Sequence, residues 1–540
     1  MDCPVCGSGR IRSAEGSARL FFRCGFCGFS WADPKSRPDA EASRRRYLLH
    51  RNDEQNRGYA AFLSGVIDRA FWYAGKPRNA LDWGSGPNPL AAELLARRGV
   101  ETAVWDPLFG SAQIPPKESF DLVLCIETAE HFAEPRRDFR ELARTLRPGA
   151  WAFIHTHLAP EDDAEFLKWW YIQDITHISF YSEKSLRILG DVVSLSFARV
   201  EENKLIAFRR PLSALVAGGI NLDIEGRPYC KPIVRDSNPG SVHFSPGGCA
   251  RNMAENLSRL GMGTELVGAV GDDVFGEGLL ESARTAGIGV AGVAASKGNI
   301  TSTYVSLLDE RGDMSAAVSG MDICDEFTRY AAEPALDRAV DSARRKSFCA
   351  GGTPFSALLL DGNLLPETGM YIRGRFSGLP CWFDPVSAAK TRRTAEYRSG
   401  IFFDGLAGIK LNTLEARALV GCGESAGFEE LLRLLKERLK GLIYVTLGAD
   451  GAVRLDESGI ARYKCPEIEP VSATGAGDAF LAGVVRRRML GVADCADDLI
   501  AGSAGAYLAL QSPQSVPPDL SAESLESLIL RWHFLVKVIF

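Results

Sequence analysis

Two cysteine pairs near the amino end, Cys3-x2-Cys6 and Cys24-x2-Cys27, are separated by seventeen residues, and that spacing limits what the first thirty residues can become. So short a segment cannot bury a core of its own and needs a staple. Pairs of this kind at about this separation give four thiolates tetrahedral access to one ion, which points to structural zinc rather than disulfides. All four positions are filled, so none is open for water or substrate. Gly7 and Gly28 follow the pairs where tight turns need them. The other nine of the thirteen cysteines are scattered singly. With no apolar leader and no run near the roughly 18 residues of a membrane span, a reducing cytoplasm and no membrane partner are expected.

Arg10, Arg12, Arg19 and Arg23 make this ribbon mildly basic, and Arg44, Arg45 and Arg46 follow it. The whole chain carries a formal charge of −6, which argues against generic coating of nucleic acid. A solvated charged face is preferred here over RNA contact.

The remaining length is too great for one core: 540 residues call for two or three. A composition 46% hydrophobic and 24% charged excludes a disordered chain, a coiled coil and a membrane bundle. From about 40 to 208, strands (NALDW, ETAVWD, FDLVLCIE, AWAFIHTH) alternate with helices, which is the doubly wound α/β pattern. Two runs separated by EEN, VVSLSFARV and KLIAFRR, predict an antiparallel hairpin at the sheet edge. A second alternation starts at 212 with LSALVAGGINLD and continues to about 511. The expected organisation is a zinc ribbon at 1–30, a first α/β domain at 40–208 and a second at 212–531. The final RWHFLVKVIF reads as a docked strand or packing tail.

In the first α/β domain the strand ending Leu81-Asp82-Trp83 runs into Gly84-Ser85-Gly86-Pro87 and a helix, and Asp106 closes the next strand twenty residues after Gly86. Glycines there let a backbone approach a ligand at the strand's carboxyl end, with an acid at the spacing that grips ribose hydroxyls. Together with FDLVLCIETAEHF, ELARTLRPGAWAFIHTHL and DITHISFYSEKSLRIL, this constellation resembles the class I S-adenosylmethionine-dependent methyltransferases. The resemblance implies a Rossmann-like domain in which Asp82, Gly84 and Gly86 line the methionine and ribose side of the cofactor and Asp106 binds its ribose. Pro87 and Pro89 depart from the commoner form of the loop. Glu127, His131, His155 and His157 fall at the ends of adjacent strands, as a general base, a metal site or, the preferred reading, a polar strand rim.

The most specific chemistry lies in Thr474-Gly475-Ala476-Gly477-Asp478 ahead of a helical run. Bare glycine amides at a helix N-terminus form an anion site, and Asp478 beside them can take a proton from an attacking hydroxyl. Gly247-Gly248-x3-Asn252, Asn412-x2-Glu415 and Thr446-Leu-Gly448-Ala-Asp450-Gly451 accompany this turn. Together they resemble the PfkB, or ribokinase-like, carbohydrate kinases over about 213–511. GGINLDI, DSNPGSVHFSPGGCARNMAENLSRLG and FDPVSAAK are most like the pseudouridine-phosphorylating members.

The resemblance implies an α/β kinase domain with a small β lid from strands around 228–246 and 300–308. In it Asn221 and Asp223 would hold ribose hydroxyls, and Gly247, Gly248 and Asn252 would admit the sugar. Asn412 and Glu415 would organise magnesium and phosphates, and Thr446, Gly448 and Gly451 would border ATP. Ser472-Ala473, where many members carry Asp-Thr, weakens an expected monovalent-cation site. The implied activity is transfer of a phosphoryl group from Mg-ATP to the 5′-hydroxyl of pseudouridine, with homodimerisation through the lid. The alternatives are a kinase of ribose, adenosine or inosine, or a methyltransferase that keeps the kinase fold as a binding module.

Overall fold

The computed structural model describes residues 1–533 except 15–18, 50–53, 111–114, 234, 312, 348–352, 424, 458 and 492–494. Residues 534–540, most of the expected packing tail, lie outside the described residues. The chain divides into two compact units that meet in sequence between Pro211 and Leu212.

The first unit has two sheets. In the larger, the order is Glu101–Trp105, Asn79–Trp83, Phe120–Ile126, Leu146–His155, Leu205–Arg209, Ser196–Glu201. The first four strands are parallel and the last two antiparallel, so the expected hairpin does form the sheet edge. Val192 and Val193, read as its start, instead end a helix, Glu183–Val193, and Ser194 caps it. Side-chain alternation fills both faces: Ala80, Leu122, Leu124 and Phe153 pack with Leu63 and Ile67 of the helix Arg57–Ala74. Leu81, Val123, Cys125 and Ile154 pack on the other face with Phe139, Leu186 and Leu189.

The cysteine ribbon joins that second core. Val5, Phe29 and Trp31 are buried within it. The ribbon strands Ile11–Ala14, Phe21–Cys24 and Ser30–Ala32 form an antiparallel sheet whose fourth strand, Ser179–Phe180, comes from far along the chain. Residues 1–30, expected as a separate ribbon, thus fall in the same compact unit as 40–208.

The second unit is built on a nine-stranded sheet in the order Ile288–Ser296, Gly263–Gly271, Ser213–Ala217, Ala357–Asp361, Cys381–Asp384, Gly408–Asn412, Leu442–Thr446, Ala452–Asp456, Gly459–Tyr463. The first seven strands are parallel and the last two antiparallel. Leu215 and Leu358 face one core while Val216 and Leu359 face the other, the pattern of a sheet covered on both sides. A separate four-stranded sheet, Gly240–Gly247, Asn221–Pro228, Thr303–Leu308, Met314–Gly320, supplies the expected lid and extends it to Gly320. Among the described residues no helix is long and apolar enough to cross a membrane.

Candidate active sites

In the second unit the chemistry collects at the carboxyl ends of the parallel strands, where open α/β sheets bind ligands. Gly475 caps the helix Ala476–Met489 at φ 81°, and the first N–H groups of that helix have no partner within it. Asp478, in its first turn, accepts hydrogen bonds from Cys249 Sγ (2.9 Å) and Asn252 Nδ2 (3.0 Å). Burial, then the neighbouring Asp384, push its carboxyl up to about 7, against the hydrogen bonds and Lys410. A carboxylate so tuned is poised as a base near neutral pH.

Asp384 ends its strand and takes a bond from Lys410 Nζ at 2.8 Å. Burial works against the Lys410 ammonium, but Asp384 and Glu415 outweigh it and raise its pKa. Any side chain at 477 would meet Lys410 Nζ, since a Cβ there would lie 2.7 Å away.

The turn that follows the first strand is organised by Asp361, which sequence reasoning missed. Its buried carboxylate accepts from the amides of Gly219 (2.9 Å), Ala250 (2.8 Å) and Asn363 (2.8 Å), tying the glycine turn after the first strand to the start of the helix Cys249–Arg259. Asn221 donates to Asp223 within that frame. Burial pushes Asp223 up to about 6. Gly247 is required because a Cβ would lie 2.2 Å from Asp223 Oδ2, and Gly248 adopts φ 99°. The structure therefore brings Asn221, Asp223, Gly247 and Gly248 together, and Asn252 beside Asp478.

Asn412 and Glu415 form a reciprocal capping box: Asn412 Oδ1 accepts from Glu415 N (2.9 Å) and Glu415 Oε2 from Asn412 N (2.7 Å). Thr446 pairs with Asn412 across the sheet, and Gly448 (φ 61°) and Gly451 (φ 87°) shape the turn beyond it. Ser472 Oγ accepts from Thr474 N at 3.2 Å.

The first unit contains a cavity of about 900 Å³ walled by the glycine turn Gly84–Gly86, Asp106, Glu127, Thr128, Glu130 and several histidines. Gly84 turns at φ 80°, and a Cβ there would strike Thr128 at 2.2 Å. Asp106 accepts from the amides of Gly86 (2.9 Å), Leu108 (2.8 Å) and Phe109 (3.1 Å). Asp82 is not on the cavity wall; it is buried behind the turn, where desolvation, with Asp106 adding, pushes it up to about 7 against the Ala92 amide.

Glu127, His131, His155 and His157, preferred as a polar strand rim, all line this cavity. His155 Nδ1 meets Glu127 Oε1 at 2.6 Å. The strand ends at His155, so His157 does not share its face. His131 groups instead with Glu130 and His177. His177 lies in DITHISF, read only as a substrate-side segment.

At the ribbon, Cys3 and Cys27 sulfurs are 3.6 Å apart and those of Cys6 and Cys24 3.5 Å, with all four within 4.8 Å. Bonds of about 2.3 Å to a tetrahedral zinc would set sulfurs about 3.8 Å apart, so the cage fits that ion. Gly7 and Gly28 take the left-handed conformation at φ 73° and 76°. The arginines read as a solvated face are partly spent inside the unit. Arg23 bonds Asp163 Oδ1 and Pro160 O, both at 2.7 Å, and Arg19 bonds the carbonyls of Asp174 (3.0 Å) and His177 (3.1 Å).

Residues 213–521 match the family model of pfkB family carbohydrate kinases, and residues 53–190 match a methyltransferase domain. The chain belongs to the pfkB family of carbohydrate kinases: its second unit is a sugar or nucleoside kinase, and its first contains a methyltransferase domain. It is 30% identical to the pseudouridine kinase of Escherichia coli over 320 residues, which cover 58% of this chain and 96% of that protein. The pseudouridine kinase of Arabidopsis thaliana is 24% identical over 376 residues, covering 58% and 94%. A solved carbohydrate kinase from Agrobacterium tumefaciens is 28% identical with a TM-score of 0.47, covering 59% of this chain and 97% of that one.

Proposed function

We propose that the second unit transfers the γ-phosphoryl group of ATP to the 5′-hydroxyl of pseudouridine. The observation that carries this reading is Asp478, poised near neutrality in the first turn of a glycine-capped helix and bonded to Asn252 beside the Asn221–Asp223 pocket. The likeness to two pseudouridine kinases supports the substrate.

In this reading Asn221 and Asp223 hold ribose hydroxyls, and Gly247 and Gly248 let the sugar reach the backbone. Asp478 takes the proton of the 5′-hydroxyl as it attacks. The N–H groups of Gly475, Ala476 and Gly477, with Thr474 ahead of them, receive the charge spreading over the phosphoryl oxygens. Asp384 and Glu415 offer the hard oxygen donors that magnesium takes, whereas the Cys249 thiol beside them does not. Magnesium, when bound, neutralises phosphate charge. Asn412 and Glu415 hold the turn facing it, while Thr446, Gly448 and Gly451 border the nucleotide. Ser472-Ala473 brings no carboxylate to a monovalent-cation site.

The lid carries exposed apolar residues, Val242, Phe244, Leu307 and Val318, a surface suited to pairing with a second copy. The test of substrate is a panel of pseudouridine, uridine, ribose, adenosine and inosine with Mg-ATP, read by product mass. Preference for pseudouridine is expected. Phosphorylation of another acceptor while pseudouridine is ignored would overturn the reading.

The first unit, on the same footing, binds S-adenosylmethionine, because the cavity and the left-handed Gly84–Gly86 cradle fit it. When bound, the cofactor supplies an electrophilic methyl group. Gly84 and Gly86 would lie under its methionine and ribose, Asp106 would meet the ribose, and Asp82 would brace the turn from behind. The ribbon's ion we take to be zinc, in a structural role. Cys24→Ser is expected to remove one zinc equivalent, measured by atomic absorption after dialysis, and to lower the melting temperature of the protein. Full zinc retention in that variant would sink the four-thiolate cage. We place the protein in the cytoplasm, where reduced thiols favour such a cage.

A further inference from the structure

We infer a divalent-metal site in the first unit, formed by Glu130, His131 and His177 on the wall of the 900 Å³ cavity, with a coordination position left open to that cavity. One ligand atom from each residue lies within 4.8 Å of the others. His131 Nε2 and Glu130 Oε1 are 4.0 Å apart. Metal bonds of about 2.1 Å set ligand atoms at most about 4.2 Å apart, so the three close on an ion with a sub-ångström adjustment.

Both imidazoles are set for this. His131 Nδ1 is 2.8 Å from the Thr176 carbonyl, and His177 Nδ1 is 2.8 Å from the Tyr171 carbonyl. A carbonyl can only accept, so Nδ1 carries the proton in each ring and Nε2 keeps the lone pair, the arrangement in which protein histidines hold metals.

Glu130 is the independent sign. Its side chain is fully buried, and neither carboxylate oxygen has a partner at full hydrogen-bond geometry, the Tyr171 hydroxyl and its own backbone N–H being the donors that come near. The Tyr171 hydroxyl is a neighbouring side-chain donor, in reach of Glu130 as well as of Thr156 Oγ1 at 3.3 Å, and it supplies a single proton to a carboxylate with two oxygens. A buried carboxylate so sparsely satisfied calls for a cation or a proton. Two imidazoles and one carboxylate suit manganese, iron(II), cobalt or zinc better than magnesium or calcium. Glu127 stands on the same cavity wall as a second acidic side chain. Three protein ligands leave room for an oxygen ligand from the cavity, and there a hydroxyl-bearing methyl acceptor would be held and acidified. Only that last use rests on the methyltransferase reading.

The test is Mn2+ titration of the zinc-loaded full chain, followed by electron paramagnetic resonance and bulk-water proton relaxation, with S-adenosylmethionine binding measured in parallel by calorimetry. Wild type should bind an Mn2+ that is weakened at least tenfold by Glu130→Gln and by His177→Ala, with relaxation enhanced by its exchangeable water. Cofactor binding without any such ion, whether Mn2+, Co2+ or zinc beyond the ribbon's equivalent, would overturn the site and leave the domain reading intact. Glu130 would then be a protonated acid. Ion binding unchanged in both variants would also overturn it. A variant-sensitive ion with no cofactor binding would support the site and overturn the methyltransferase reading. An ion without exchangeable water would remove the open position.

Discussion

Asp478→Asn should lower kcat for phosphoryl transfer by about 10²–10⁴-fold, the range typical of a lost general base. The variant keeps the size of the side chain and an oxygen for Asn252, so folding should survive. The pH profile supplies the sharper reading. A base works deprotonated, so wild-type kcat/KM should rise with pH and level off above about 7, the value to which burial and Asp384 push this carboxyl. The variant's residual activity should show no limb near 7. Activity within tenfold of wild type, or an unchanged limb, would remove Asp478 from the role of base. ADP release in a coupled assay across pH 5–9 measures both.

The second large effect is expected at Gly475. Its φ of 81° is costly for any other residue, and a Cβ would lie 1.8 Å from the Ser515 carbonyl oxygen, a backbone atom that cannot rotate away. The left-handed conformation alone costs an alanine about 1–2 kcal/mol, and relieving the clash must displace either Ser515 or the helix start that bears the anion site. Gly475→Ala should therefore lose more than about 10² in kcat, as expected when oxyanion-type donors are displaced, together with a measurable fall in melting temperature. Gly374→Ala is the comparison: it sits in a helix with open space around its Cβ position and should leave both quantities nearly unchanged. Wild-type turnover in Gly475→Ala would show that the turn is not the phosphoryl cradle.

These two residues were legible because a single heptapeptide contains the proposed base, the proposed anion hole and the helix start. The α/β alternation and the edge hairpin were legible for a similar reason, since periodicity and short-range turns are local, whereas the lid followed only from the family resemblance. What escaped was assembled from distance. Asp361, Asp384 and Lys410 each end or lie in a different strand, and nothing near Asp361 in sequence says that it will clamp amides at 219 and 250. The same holds in the first unit, where His131 was read with His155 and His157 by strand order. Its actual companion, His177, follows it by more than forty residues and reaches it through a short irregular segment. Arg19 and Arg23 were read as surface charge because composition cannot tell which cations meet a buried carbonyl or carboxylate.

The short strand Ser30–Ala32, hydrogen-bonded to Ser179–Phe180, sets an order of events during synthesis. Roughly 150 residues must be added before the amino-terminal sheet can be completed, on the order of ten seconds at ordinary elongation rates. On the zinc reading proposed above, the four cysteines, close in sequence, would capture an ion during that wait, and the ribbon would leave the ribosome as a metal-closed knot with one raw edge. The last strand to arrive covers that edge. Metal starvation during translation should thus harm this chain more than metal removal afterwards, since the packed unit then protects a cage that the nascent chain has to build alone.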